Sequence, residues 1–142
     1  MLSPKRTKFR KYQKGRIGDI QPNNTQLQIG KYGLKTLQAG RITAKTIEAV
    51  RRTMTRKFKR SGKIWIKIFP DIPVTAKPAE VRMGKGKGAP SYWICRVEAG
   101  EILFEMDGIP LQLAKQAAML AHHKLPIPTK FIQTQQTETL EF

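Results

Sequence analysis

The sequence predicts an α+β protein with a basic extended N-terminal arm and a protruding glycine-rich loop. Three observations carry this expectation. Two segments place apolar residues at helical spacing, several short segments alternate with a period of two, and positive charge is crowded into one half of the chain. The 142 residues fit one domain with a sizeable single core. The expected organisation is an arm and turn over 1–26, a body over 27–132 and a polar tail over 133–142.

Net charge is +17, from 27 Lys and Arg against 10 Asp and Glu. Residues 1–71 hold 19 of those cations against 3 acids, whereas residues 72–142 hold 8 against 7. Self-repulsion on this scale destabilises a free compact state, so the chain reads as one that lives against a polyanion. The single cysteine, Cys95, excludes an internal disulfide and offers no thiol cluster for zinc. It lies in the apolar run Tyr92-Trp93-Ile94-Cys95 and reads as a small buried hydrophobe. No apolar run approaches the ~20 residues of a membrane span. The N-terminus has cations without a following apolar core or an amphipathic stripe, which argues against a secretory signal and against an import peptide.

Lys5, Arg6, Lys8, Arg10, Lys11, Lys14 and Arg16 crowd the first 16 residues without an acid. Such a segment cannot offset its ordering entropy by apolar burial and is expected to be disordered alone. Phe9 and Tyr12 are interleaved, suited to stacking on bases or to anchoring the arm. Residues 17–26, with Gly18, Asp19, Pro22, Asn23 and Asn24, carry turn chemistry. Leu27 to Leu37 reads as two short strands around a kink at Gly30 and Gly33.

The strongest period runs from Thr43 to Arg60, where Ile47, Val50, Met54 and Phe58 fall on one side of a helix. Thr43 is the expected N-cap and Ser61-Gly62 the expected stop. The other faces carry Lys45, Arg51, Arg52, Arg56, Lys57, Lys59 and Arg60, with Glu48 as the only acid. Cations near a helix C-terminus contribute only ~0.3–1 kcal/mol each, so helix stability does not account for so many, and they are read as phosphate contacts.

Lys63 to Phe69 alternates as a strand with Ile64, Ile66 and Ile68 on one face. Asp71, Pro73 and Pro78 are expected to break it, with a further short strand over Ala79 to Met83. Ser91 to Val97 and Ile102 to Met106 are two more strands, expected to pair as a hairpin across Glu98-Ala99-Gly100-Glu101. Trp65 and Trp93 are read as packing residues. Pro110 opens a second helix that runs to about Lys124, its face built from Leu111, Leu113, Ala114, Ala117, Ala118, Leu120 and Ala121 and able to lie close on a sheet. Phe131-Ile132 suits an edge strand.

Between Ala79 and Ser91 stands Arg82-Met83-Gly84-Lys85-Gly86-Lys87-Gly88, which is hard to explain as packing. Three alternate glycines remove the Cβ atoms that would hold a partner away, and Arg82, Lys85 and Lys87 supply cations. The run satisfies a relaxed dinucleotide fingerprint, but Pro90 and the strand after it break the required strand-turn-helix context. A phosphate loop of the Walker type needs Ser or Thr after Gly-Lys, and here glycine follows. His122 and His123 are adjacent and diverge by about 100° on a helix, so they cannot share a metal. Glu98, Glu101, Glu105 and Asp107 cluster without a catalytic partner and are read as paired with the basic half or solvated. No catalytic residue, metal or cofactor is expected.

The runs Pro4 to Lys11, Ile47-Glu48-Ala49 with Arg51-Arg52, Gly62 to Ile66, Lys77-Pro78, Val81 to Gly88 and Glu105-Met106-Asp107-Gly108 occur in the order and spacing of a known family. From residue 2 to about residue 132 the chain resembles the bacterial-type ribosomal protein L-sixteen family of the large subunit. The resemblance implies two helices packed on an antiparallel or mixed sheet, no catalysis and no homo-oligomer. It implies binding to large-subunit rRNA through a single RNA-binding domain over 27–132. It also implies an arm threading between RNA helices and a loop over Arg82 to Gly88 reaching toward the aminoacyl-site tRNA, with neighbouring ribosomal proteins as partners. Segment 17–26 and the tail beyond Ile132 depart from the family pattern. Phrases such as Lys11 to Arg16 and Ile102 to Gly108 resemble organelle members, mitochondrial ahead of plastid, with the bacterial cytoplasm the remaining location. Two other classes account for part of the pattern: a nucleoid-type DNA packer for the charge, and a small nucleotide-using enzyme for the glycines.

Overall fold

Ala44–Lys57 forms helix α1, and its apolar stripe is the centre of the core: Ile47, Val50, Met54 and Phe58 are at most 2% exposed. Thr43 caps it as expected, its Oγ1 accepting the Thr46 N–H at 3.2 Å. The helix stops at Phe58, before Ser61-Gly62, because Lys59 and Arg60 both turn left-handed, with φ of 51° and 62°. Gly62 is needed for close approach, since a Cβ there would meet the Asp107 carbonyl oxygen at 2.6 Å.

The computed structural model describes residues 1–18 and 25–134. Around α1 the remaining elements are β1 (Tyr32–Thr36), β2 (Gly40–Thr43), β3 (Lys63–Ile66), β4 (Ile72–Ala76), β5 (Ala89–Val97), β6 (Ile102–Asp107), α2 (Leu111–Lys124) and β7 (Thr129–Gln133). Every strand pairing is antiparallel, in two sheets ordered β3-β6-β1-β7 and β2-β5-β4. The class is therefore α+β, with two sheets where one was expected.

The expected hairpin between the strands now labelled β5 and β6 does not form. Residues 98–101 dock instead on the end of β1, where Gly100 N–H donates to Thr36 O at 2.8 Å and Thr36 N–H donates to Glu101 O at 2.9 Å. The chain thus leaves one sheet and enters the other. β6 sits between β1 and β3 with Ile102 to Met106 all buried, which is why it lacks a polar face.

Three further strand expectations fail. Residues 79–83 form no strand, and β4 forms around Pro73, which an edge position tolerates because its missing N–H is not needed by a second neighbour. Leu27 to Lys31 is likewise a loop, because Gln28, Ile29 and Gly30 turn their N–H groups onto the Glu105 carboxylate at 3.2, 2.7 and 2.8 Å. Glu105 is fully buried, not solvated, and its only ion pair among the described residues is a long one, 3.9 Å to Lys67. Burial alone would raise its pKa; the three N–H donors and Lys67 outweigh burial and hold it below the ordinary 4.5.

Helix α2 buries Ala114, Ala117, Ala118 and Ala121, and this small face lies chiefly on α1, with lesser contact to β1 and β7. Leu120, expected on that face, is 41% exposed. β7 is the expected edge strand, and its Phe131 stacks on Tyr32 with centroids 5.9 Å apart. Of the expected tail, residues 135–142 lie outside the described residues, as do 19–24 of the expected turn.

Because the folded pKa of Glu105 is depressed, its charge stabilises the fold fully above the unfolded value near 4.5, and this is lost as pH falls through the folded value. Replacing Glu105 with Gln is expected to cost about 1–3 kcal/mol at neutral pH. Urea unfolding of both proteins from pH 7 to pH ~3 should show that gap narrowing on the acid side. A gap independent of pH would mean the charge contributes nothing.

Candidate nucleic-acid interface

Three cationic surfaces project from this body. The first is the arm, residues 1–18, which has no helix or strand; Lys5, Arg6, Lys8, Arg10, Lys11, Lys14 and Arg16 are all exposed. Expected to be disordered alone, it lies against the second sheet. Met1, Leu2 and Ser3 line a groove with Thr43, Ala44, Lys45, Ser91, Tyr92 and Trp93. Further on, Arg41 Nη2 donates to Gly15 O at 2.8 Å and Arg96 Nη1 to Arg16 O at 3.3 Å. The arm's far end passes beside Asp71 and Glu98.

Sequence reasoning missed Arg41 and Arg96. They face each other across the β2–β5 register, and like charges in that relation are destabilising unless something lies over them. Main-chain carbonyls of the arm do so, accepting from both guanidinium groups. A basic arm is thus held on a basic sheet by peptide dipoles, and its own cations are exposed. The only signal for this was the non-local pairing of β2 with β5, invisible while β5 was expected to pair with β6.

The second surface is the polar side of α1. Lys45 stands at its start, and Arg51, Arg52, Thr55, Arg56 and Arg60 surround a shallow depression at its other end. Arg56 lies roughly 16 Å further along the axis than Lys45. Lys59 and Arg60 extend the cluster past the last turn on left-handed backbone. Glu48 is not idle among these cations: it accepts from Arg51 Nη2 at 2.5 Å and from Arg52 Nε at 3.0 Å. The Arg51 hydrogen bond is the main cause that holds its carboxyl down at about 2; burial opposes it, and the Arg52 hydrogen bond and the charges of both arginines add to the lowering. Arg51 and Arg52 are therefore oriented and partly neutralised, while Lys45, Arg56, Lys59 and Arg60 have no carboxylate partner among the described residues.

The third surface is the glycine-rich loop, residues 77–88, which joins the edge strand β4 to β5. Gly84, Lys85 and Gly86 take φ of 91°, 59° and 93°, a left-handed run. A Cβ at Gly84 or Gly86 would meet nothing, so glycine is required there by conformation and not by space. Gly88 differs: a Cβ would strike the Ala76 carbonyl oxygen at 2.5 Å, where the loop returns along β4. Met83 is 96% exposed at the tip, Arg82, Lys85 and Lys87 are exposed, and Lys77 Nζ donates to Gly84 O within the loop. Arm and loop touch, since Lys11 Nζ donates to Lys87 O at 2.9 Å and Lys87 Nζ to Tyr12 O at 2.8 Å.

Other groups with potential chemistry lie away from these surfaces. Desolvation pushes the Cys95 thiol up to about 12, which removes it as a nucleophile. His122 Nδ1 bonds Thr129 Oγ1 at 2.9 Å and ties α2 to β7. Among the described residues no three His, Cys, Asp or Glu side chains converge on a metal position, and no helix is long and apolar enough to cross a membrane.

The described residues thus form an α+β body with three exposed cationic surfaces, the arm, the polar side of α1 and the glycine-rich loop. Its family is shown directly: the chain belongs to the ribosomal protein L16p/L10e family, whose model matches residues 4–132. The large ribosomal subunit protein uL16m of Prototheca wickerhamii is 66% identical over 132 residues, covering 93% of this chain and 98% of the relative. The uL16 proteins of Azorhizobium caulinodans and Gluconobacter oxydans are 59% and 60% identical over 133 residues, covering 94% of this chain and 97% and 96% of theirs. This is a structural, non-enzymatic family.

The Glu48 carboxyl is expected to titrate at about 2, and its pairs with Arg51 and Arg52 to persist as pH falls until that value is reached. Carbon-detected NMR of its side chain should show the midpoint rising toward 4.5 in Arg51→Met. An unmoved midpoint would assign the depression to another group.

Proposed function

We propose that the chain is a structural component of the large ribosomal subunit that binds large-subunit rRNA, helps organise the aminoacyl-tRNA site and approaches the tRNA through residues 82–88. The observation that carries this reading is the arm laid by its carbonyls over Arg41 and Arg96, with its own cations exposed. Two like-charged layers need a polyanion outside them, and a phosphate backbone supplies one. Arm and α1 cations neutralise phosphates and release counterions, while folded RNA shape supplies the selectivity. Residues 27–132 are the RNA-binding body, 1–26 the arm and 133–142 an appended tail. Other ribosomal proteins are its remaining neighbours. A mitochondrial ribosome is the favoured setting, supported by 66% identity to the uL16m of Prototheca wickerhamii against 59% to the bacterial uL16 of Azorhizobium caulinodans.

Replacing Arg51, Arg52 and Arg56 with Ala should lower incorporation into large subunits, increasingly so as salt rises, and reduce the salt slope of rRNA binding by up to about three. Unchanged incorporation at raised salt would remove α1 from the interface. Gly86→Val is a separate test of the loop, because a β-branched residue resists φ of 93° although nothing blocks its side chain. Assembly should proceed normally while aminoacyl-site tRNA binding falls several-fold; equal tRNA binding would deny the loop that role.

A further inference from the structure

We infer that Lys11 of the arm and Lys87 of the glycine-rich loop form one composite binding site for a single RNA phosphodiester, so that the arm's docking on RNA also sets the position of the loop. The inference rests on the reading that the chain binds large-subunit rRNA. Its foundation is the reciprocity of two hydrogen bonds. Lys11 Nζ donates to the main-chain carbonyl of Lys87 at 2.9 Å, and Lys87 Nζ donates back to the main-chain carbonyl of Tyr12 at 2.8 Å. Each lysine holds the backbone that carries the other.

Two ammonium groups are brought to one clasp between segments about 75 residues apart in the chain. Among the described residues neither has a carboxylate within ion-pair distance. Each ammonium has three donors and the clasp uses one, so two remain on each side for an oxygen-rich anion. A phosphodiester has two unesterified oxygens and one negative charge, which suits donors arriving from two sides. The clasp does not come from loop stiffness, because Gly84, Lys85 and Gly86 make a left-handed run in open space. On the arm side the next residues are pinned independently, Gly15 by Arg41 and Arg16 by Arg96. The arm between residues 11 and 16 is therefore fixed to the sheet at one end and to the loop at the other.

Lys85 provides the internal control. It sits two residues from Lys87 in the same loop and is equally a cation, yet among the described residues it makes no hydrogen bond to the arm. General attraction of RNA to the loop would use both lysines alike. A composite site uses Lys87 with Lys11 and leaves Lys85 independent.

The test is a double-mutant cycle in the full chain, read as the slope of log affinity against log salt for protein-free large-subunit rRNA. Removing one phosphate contact lowers that slope by about one. Lys11→Met and Lys87→Met are each expected to lower it by about one, and the double variant again by about one, because either substitution dissolves the site. Lys11→Met with Lys85→Met should instead lower it by about two, the sum of independent contacts. The same cycle read on tRNA binding to reconstituted subunits identifies the source of the phosphate. Non-additivity on rRNA alone assigns it to rRNA, and non-additivity only in the tRNA measurement assigns it to tRNA. Additive losses for Lys11 and Lys87 in both measurements overturn the composite site while leaving rRNA binding intact. A wild-type chain without salt-dependent rRNA affinity would overturn the underlying reading itself. All three lysines are exposed, and unchanged circular dichroism certifies that the variants share one fold.

Discussion

Everything outside the core is arranged around positive charge that the chain cannot neutralise by itself. Two unit charges about 4 Å apart repel by ~1 kcal/mol in water and by several times more near a protein surface. Acids are too few to offset this, and Glu48 already serves two arginines while Glu105 is buried under a loop. The remaining device is the peptide carbonyl, an acceptor without a net charge. It appears at Gly15, Arg16, Tyr12, Lys87 and Gly84, always accepting from a lysine or arginine. Carbonyl dipoles align cations but leave the net charge untouched. The assembled surface is consequently well ordered in direction and still strongly positive, the condition in which a phosphate chain binds with little rearrangement.

Such a surface needs a stiff support, and the core supplies it through contacts distant in sequence. α1 crosses between the two sheets with its stripe wholly buried, and α2 comes close to it because four alanines leave no side chain in the way. Glu105 adds a polar anchor inside this apolar frame, since its carboxylate gathers three N–H groups, and that of buried Gly30 would otherwise lack an acceptor. The anchor fixes the entry to β1. Both partners of β1 are thereby placed, and with them the sheet that backs α1.

The helices were legible because their signal is local: spacing of three and four, a threonine cap and a proline entry are all present within a few residues. The positions of the α1 cations followed directly, as did exposure of the arm. Strand partners were not legible in the same way. The Ser91 to Val97 and Ile102 to Met106 strands are neighbours in sequence, and proximity suggested a hairpin, but the turn between them is captured by Thr36 of β1. Pro73 looked like a breaker, although at a sheet edge it breaks nothing. Glu105 looked like a surface acid in a group of four, and only the folded loop from Gln28 to Gly30 reveals it as buried. Arg41 and Arg96 escaped notice for the same reason, because their meaning lies in facing each other across a pairing the sequence does not announce.

The contrast between arm and loop completes the physical picture. Ordering a backbone residue costs ~1–2 kcal/mol, and glycine costs most. An exposed hydrogen bond returns only ~0.5–1.5 kcal/mol, and residues 77–88 make fewer such bonds than there are residues to order. The loop's own contacts can bias its path but cannot hold it. Gly84 and Gly86 are set by their left-handed backbone and Gly88 by its close pass along β4, and this path carries an entropy cost that a stiffer sequence would avoid. The body's packing and the loop's few contacts are two halves of one arrangement, in which β4 and β5 fix where the loop starts and returns while its tip is held only by the Lys77 bond to Gly84 and the lysine bonds to the arm.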